Sequence, residues 1–131
     1  MAGTLTISTL SDGTNSTSST NCIQGSAKAW ATFGYVGAVM VTNASYNISS
    51  ITRSSAGDYV LNFTNALADS NYAVFLTICG ANNTSSTIAT VKSATQFGGP
   101  SNKTTSQVEV IASYYTAGMP DLAQLYIAVF R

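Results

Sequence analysis

Five carboxylates, Asp12, Asp58, Asp69, Glu109 and Asp121, are the side chains of this chain best suited to acid–base chemistry. A glycosidase needs two of them flanking the scissile bond, about 5–10 Å apart. Asp58, Asp69 and Asp121 fall at turns or strand ends, where Asp commonly hydrogen-bonds local backbone. Glu109 alternates with Val108 and Val110, which predicts a solvent-facing strand position. The pattern favours structural carboxylates over a catalytic pair. The chain has no His, which excludes Ser-His-Asp and Cys-His machinery. It has no Gly-x-Ser-x-Gly elbow, and Gly98-Gly99-Pro100 matches no phosphate-binding loop. The reading is a non-enzymatic protein with no catalytic, metal or cofactor residues.

Cys22 and Cys79 are far apart in sequence, with small or apolar neighbours. They read as two reduced, buried thiols, and without His they give no zinc cluster. Asn-x-Ser/Thr sequons stand at Asn15, Asn43, Asn47, Asn62, Asn82 and Asn102. Asn, Ser and Thr are so frequent here that chance accounts for them. Aromatic side chains are the stronger candidates for recognition. Tyr114 and Tyr115 are adjacent and point to opposite faces of a strand, so one is free for an interface. Tyr35 is expected to be exposed before a turn. Trp30, between alanines, reads as a core or subunit-interface anchor.

Composition narrows the class of partner. Charged residues make up 8% of the 131, against about 25% in ordinary soluble domains. The formal net charge is zero. About a third of the chain is Ser, Thr or Asn, so hydroxyls and amides supply its solubility. A surface with so little charge lacks the repulsion that keeps proteins apart, which suits a subunit of an assembly. Lys28, Arg53, Lys92, Lys103 and Arg131 are scattered, whereas nucleic-acid binding needs clustered cations. No apolar run approaches the ~20 residues of a membrane-spanning helix. The first ten residues lack a basic segment and a continuous apolar run, so synthesis in a cytoplasm is expected.

The elements that position these residues read as short strands between polar turns, with no convincing helix. Thr4 to Leu10 is strand-like, and Asp12 to Asn21 is a polar connector. Residues 1–24 are therefore expected to form an N-terminal extended arm, followed by one domain over 25–131. Ala27 to Phe33 is a strand with Trp30 and Phe33 on opposite faces, ending in a turn at Gly34-Tyr35. An apolar run, Val36 to Val41, and a strand from Tyr46 to Thr52 follow. Asp58 to Thr64 alternates cleanly, with Tyr59, Leu61 and Phe63 on one face. Asn65 to Ser70 reads as a helical turn or crossover loop. Tyr72 to Cys79 is apolar on both faces and reads as a covered central strand. Further strands are predicted over Thr87 to Lys92, Gln107 to Tyr115 and Leu122 to Phe130. Eight or nine such strands predict an all-β fold, an antiparallel β-sandwich or barrel. Leu5, Ile7, Leu10 and Ile23 give the arm apolar anchors with which to reach a neighbouring surface.

Several segments together carry a family resemblance: Thr4-Leu5-Thr6-Ile7, Ser11-Asp12-Gly13, Gly25 to Trp30 with Phe33, Tyr46 to Thr52, Gly57-Asp58-Tyr59 with Asn62-Phe63-Thr64, and Asp69 to Val74. The set lies mostly within residues 1 to 75. It resembles virion structural proteins of tailed bacteriophages, both tail-fibre-like proteins and small accessory head proteins. The resemblance implies a structural role in the virion and supplies no catalytic or metal residues. Its implied partners are further copies of the chain, as a homotrimer, and the major capsid protein or tail components. A short chain with an arm fits a capsid cement (decoration) protein. A tail-fibre or receptor-binding tip is the second placement, and a carbohydrate-binding domain or glycosidase the third.

Overall fold

The computed structural model describes residues 3–79, 87–93, 101–114 and 121–131. Its elements run β1 (Thr9–Ser11), β2 (Ser16–Ser18), α1 (Ser19–Gly25), β3 (Ala27–Val36), β4 (Val39–Tyr46), β5 (Ile48–Ser55), β6 (Asp58–Phe63), β7 (Ala73–Ile78), β8 (Thr87–Val91), β9 (Gln107–Tyr114) and β10 (Leu125–Phe130). Eight strands form an antiparallel sandwich of two four-stranded sheets, ordered β4-β3-β10-β7 and β5-β6-β9-β8. The expected all-β sandwich is present.

Alternation along the strands builds the core. From the first sheet, Ala29, Ala31, Phe33, Leu125, Ile127 and Val129 point inward. Tyr59, Leu61, Phe63, Val108, Val110 and Ala112 meet them from the second. Phe33 packs edge-on against Tyr59 with ring centroids 5.6 Å apart, which joins the two layers at their centre. β10, with nearly every second residue buried, lies between β3 and β7.

Turn chemistry sets the corners. β3 does not end at Gly34-Tyr35. It continues to Val36, and Gly37 and Ala38 form the two-residue turn into β4 with φ of 59° and 67°. Positive φ at both positions is the geometry whose twist matches a tight hairpin. Gly34 is needed for a different reason. A Cβ built there would lie 2.0 Å from the Ala123 carbonyl oxygen, because residues 121–124 cross β3 at that point. Asn47 breaks the strand expected over Tyr46 to Thr52. Its φ of 55° turns the chain from β4 in one sheet to β5 in the other. Asn tolerates this left-handed conformation better than most residues. Its side chain is spent there: Nδ2 donates to the Lys28 and Asn65 carbonyls at 2.9 and 3.1 Å, and Oδ1 accepts from Asn65 N at 2.8 Å.

Other expectations also need correction. Residues 9–25 are not uniformly extended. β1 pairs with β2, and a short helix follows where none was expected. Asp12 Oδ1 accepts from Thr14 N and Asn15 N to close the hairpin, and Ser18 Oγ caps the helix by accepting from Asn21 N at 3.2 Å. For Asn65 to Ser70 the second of the two expected alternatives holds, a loop. β7 is an edge strand and not a covered central one. β10 begins at Leu125, since Leu122 belongs to the crossing segment. The loops predicted around 80–86, 94–100 and 115–120 lie outside the described residues.

Gly34→Ala is expected to destabilise the domain by about 3 kcal/mol, because the obstructing atom is backbone and cannot rotate away. Gly37→Ala, with open space around its Cβ position, is expected to cost about 1–2 kcal/mol from φ alone. Parallel chemical denaturation of the two variants checks the order.

Candidate functional site

Four of the five acids and three of the five cations meet in three ion-paired groups. Asp121 is the first residue of the segment that crosses β3. Arg53, on β5, donates to both of its oxygens, Nε to Oδ1 at 2.7 Å and an Nη to Oδ2 at 2.8 Å. Gly57 N and the Tyr59 hydroxyl also donate to Oδ1, at 3.1 and 3.2 Å. The same hydroxyl accepts from Leu122 N at 3.2 Å. Arg53 above all holds the Asp121 carboxyl below the usual carboxylate range. Burial pushes the Tyr59 hydroxyl up. Asp121 was expected to bind local backbone; its partners come instead from the other sheet.

The second group contains the two carboxylates that come closest to a catalytic arrangement. Asp58 (β6) and Glu109 (β9) both accept from Lys92 Nζ at 2.6 Å. Asn102 Nδ2 donates to the other oxygen of Glu109 at 2.5 Å. Glu109 is therefore not the solvent-facing residue its alternation predicted. Asn102 N donates to the Lys92 carbonyl at 2.7 Å, and Glu109 N to the Asn102 carbonyl at 3.1 Å, so this part of the loop covers it. Burial pushes the Glu109 carboxyl up, but Lys92 and Asn102 outweigh it and the net direction is down. The ammonium sits between the carboxylates, where a glycosidic bond would have to lie. It bridges both groups and knots β6, β9 and the end of β8 together. The third pair, Asp69 with Arg131, is more exposed. Asp69 also accepts from Asn71 N at 2.7 Å, as its turn position suggested.

Recognition surfaces come from the apolar candidates. Leu5, Ile7, Leu10 and Ile23 are all exposed, Leu5 at 81%. With Thr6, Ser19 and Cys22 they line a shallow hollow of about 380 Å³. Cys22 and Cys79 are both exposed, against the expectation of burial. Cys22 lies on a helix with no buried residue, and Cys79 follows an edge strand. Tyr35 is half-buried on the inner face, with the Arg53 guanidinium 4.6 Å from its ring centroid. It is not the exposed residue expected. The Tyr114 side chain and Tyr115 lie outside the described residues.

Trp30 lies on the outer face of the first sheet, 39% exposed. It brings neighbours that sequence reading missed. Tyr46 pairs with it across β3 and β4, and Ala128 pairs with it across β3 and β10. Phe75 flanks Ala128 from β7 and packs edge-on against Phe130 at 5.5 Å. Tyr126, Val39 and Val41 extend the patch. The signal was present in the double-sided apolarity of Tyr72 to Cys79, read there as a strand covered on both faces. Compared with models of protein families, with curated proteins and with solved structures, the chain matches none.

Lys92→Met leaves two carboxylates side by side without their cation, at a cost of about 3–5 kcal/mol at neutral pH. The pH response should reverse. In the wild type, Glu109 and Asp121 have lowered folded values, so their stabilisation is present above the unfolded carboxylate range and lost as pH falls through those values. In Lys92→Met the uncompensated pair takes up a proton on folding, so stability is expected to rise as pH falls from 7 towards about 5. Urea midpoints measured across this range distinguish the two slopes. Asp121→Asn is expected to cost about 2–3 kcal/mol in the same assay, from the charge-assisted bonds to Arg53.

Proposed function

We infer that this chain is a non-enzymatic structural protein of a tailed-bacteriophage virion, acting as a capsid cement (decoration) protein. The observation that carries the reading is the N-terminal segment, whose four apolar anchors, Leu5, Ile7, Leu10 and Ile23, have no place in the buried core. Apolar side chains held out in this way gain free energy only by docking elsewhere, at about 25 cal/mol for each Å² covered. The segment serves as the anchor to the head shell, and the sandwich is the body that covers it. The ion pairs support the same reading. Lys92 lies between Asp58 and Glu109, a geometry suited to holding strands together.

A second placement, a tail-fibre or receptor-binding tip, is favoured by the exposed aromatics Trp30, Tyr46, Phe75 and Tyr126 on one sheet face. Aromatic rings of this kind serve protein interfaces and ligand stacking alike.

Leu5→Asp together with Leu10→Asp is expected to leave thermal stability unchanged and to lower occupancy on capsids at least about tenfold, since each change removes roughly 1.5–3 kcal/mol of apolar burial. Quantitative binding of the purified protein to capsids lacking it, with cryo-electron microscopy of the complexes, measures this. Full occupancy by the variant sinks the anchor role, and wild-type density only at the tail moves the protein to the second placement.

A further inference from the structure

The two outer faces of the sandwich differ in chemistry. On the outer face of β5-β6-β9-β8, Ser50, Thr52, Asn62 and Glu109 stand among the aliphatic Val60, Ile88 and Ile111. The strands β4, β3, β10 and β7 carry one charged residue among them, Lys28. Its ammonium is turned aside to the Ile23 carbonyl and the Ser26 hydroxyl. On the outward side of these strands stand Trp30, Tyr46, Phe75, Tyr126, Val39 and Val41, with Phe75 64% and Tyr46 57% exposed. Together these six side chains leave roughly 600 Å² of apolar-rich surface in solvent, the upper limit of what a typical monomer shows in one patch. The small residues between them, Ala44 and Thr77 among others, are exposed as well and bring the face towards the roughly 800 Å² that each partner contributes to a standard interface.

We propose that this face binds the same face of a second copy of the chain, sheet against sheet, about a two-fold axis. Three observations select a second copy. The one charge on its strands, Lys28, is held at one end by the Ile23 carbonyl and the Ser26 hydroxyl, so apposing the aromatic centre to itself brings no like charges together. Its area is close to what a stable dimer needs. Its relief contains both projections and a recess: Ala128, the small central residue, lies between Trp30 and Phe75 in register. Phe75, Ala128 and Phe130 line an apolar hollow of about 480 Å³. In a two-fold packing each copy's ring projections enter the other's hollow, giving a self-complementary interface with sheets about 10 Å apart. The inference stands on this face alone and does not rest on the virion reading. It also differs from the threefold symmetry that the family resemblance implies.

Sedimentation equilibrium of the purified full chain tests it, from micromolar to near-millimolar concentration. The wild type is expected to form a dimer that high salt does not dissociate. Phe75→Lys with Tyr126→Lys is expected to weaken self-association at least about 100-fold, with the circular-dichroism spectrum and melting temperature kept, because both side chains are exposed. Thr52→Lys, on the opposite outer face, is expected to leave the dimer intact. A wild type that stays monomeric overturns the proposal. So does a trimer, or a dimer that survives the double substitution.

Discussion

The bonds converging on Asp121 hold the architecture in register. This carboxylate precedes β10, the strand between β3 and β7, and its partners Arg53, Gly57 and Tyr59 all belong to the β5–β6 hairpin of the other sheet. Tyr59 then binds Leu122 N, so one hydroxyl reads both the acid and the backbone beside it. The crossing of residues 121–124 over β3 is possible only because Gly34 has no side chain. From that crossing β10 enters its sheet with Leu125, Ile127 and Val129 facing the core. A shift of one residue would exchange these with Tyr126, Ala128 and Phe130 and turn the β10 part of the aromatic face inward. The contribution of β10 to the outer face thus depends on where Asp121 places the start of that strand.

Charge is used sparingly and almost wholly within the molecule. Arg53, Lys92 and Arg131 are ion-paired. Lys103 donates to the Tyr72 carbonyl, and Lys28 to the helix end. Asp12 closes its own turn. The ten charges of the chain therefore act as clamps between segments and not as a solvating coat. Solubility falls to hydroxyl and amide side chains, Ser50, Thr52 and Asn62 among them on the outer face of the second sheet. The first sheet has no such cover. Its Trp, Tyr and Phe side chains remain in water unless another surface meets them.

Much of the sandwich was legible in the chain itself. The alternation of Tyr59, Leu61 and Phe63 marked β6, and the opposite faces of Trp30 and Phe33 were readable from spacing, because strand side chains alternate by geometry alone. The exposure of Leu5, Ile7, Leu10 and Ile23 also followed from their place in a polar stretch too poor in apolar residues to form a core. Turn positions were less legible: Gly34 resembled a turn glycine and is a close-approach glycine, a distinction that depends on a backbone segment about ninety residues away.

Composition and periodicity by themselves determined an all-β chain with little charge and no His for a Ser-His-Asp or Cys-His arrangement, since these properties depend on residue types and local spacing. Tertiary structure decided which apolar face is covered and which carboxylates meet. Tyr72 to Cys79 is apolar on both sides, and Phe75 is left in solvent because, among the described residues, the second sheet packs on only the inner face of its sheet. Lys92 lies 34 residues from Asp58 and 17 from Glu109, and only the pairing of β6, β9 and β8 brings them together. Side-chain direction is a local property of the backbone, whereas burial and charge pairing depend on what the rest of the chain places opposite.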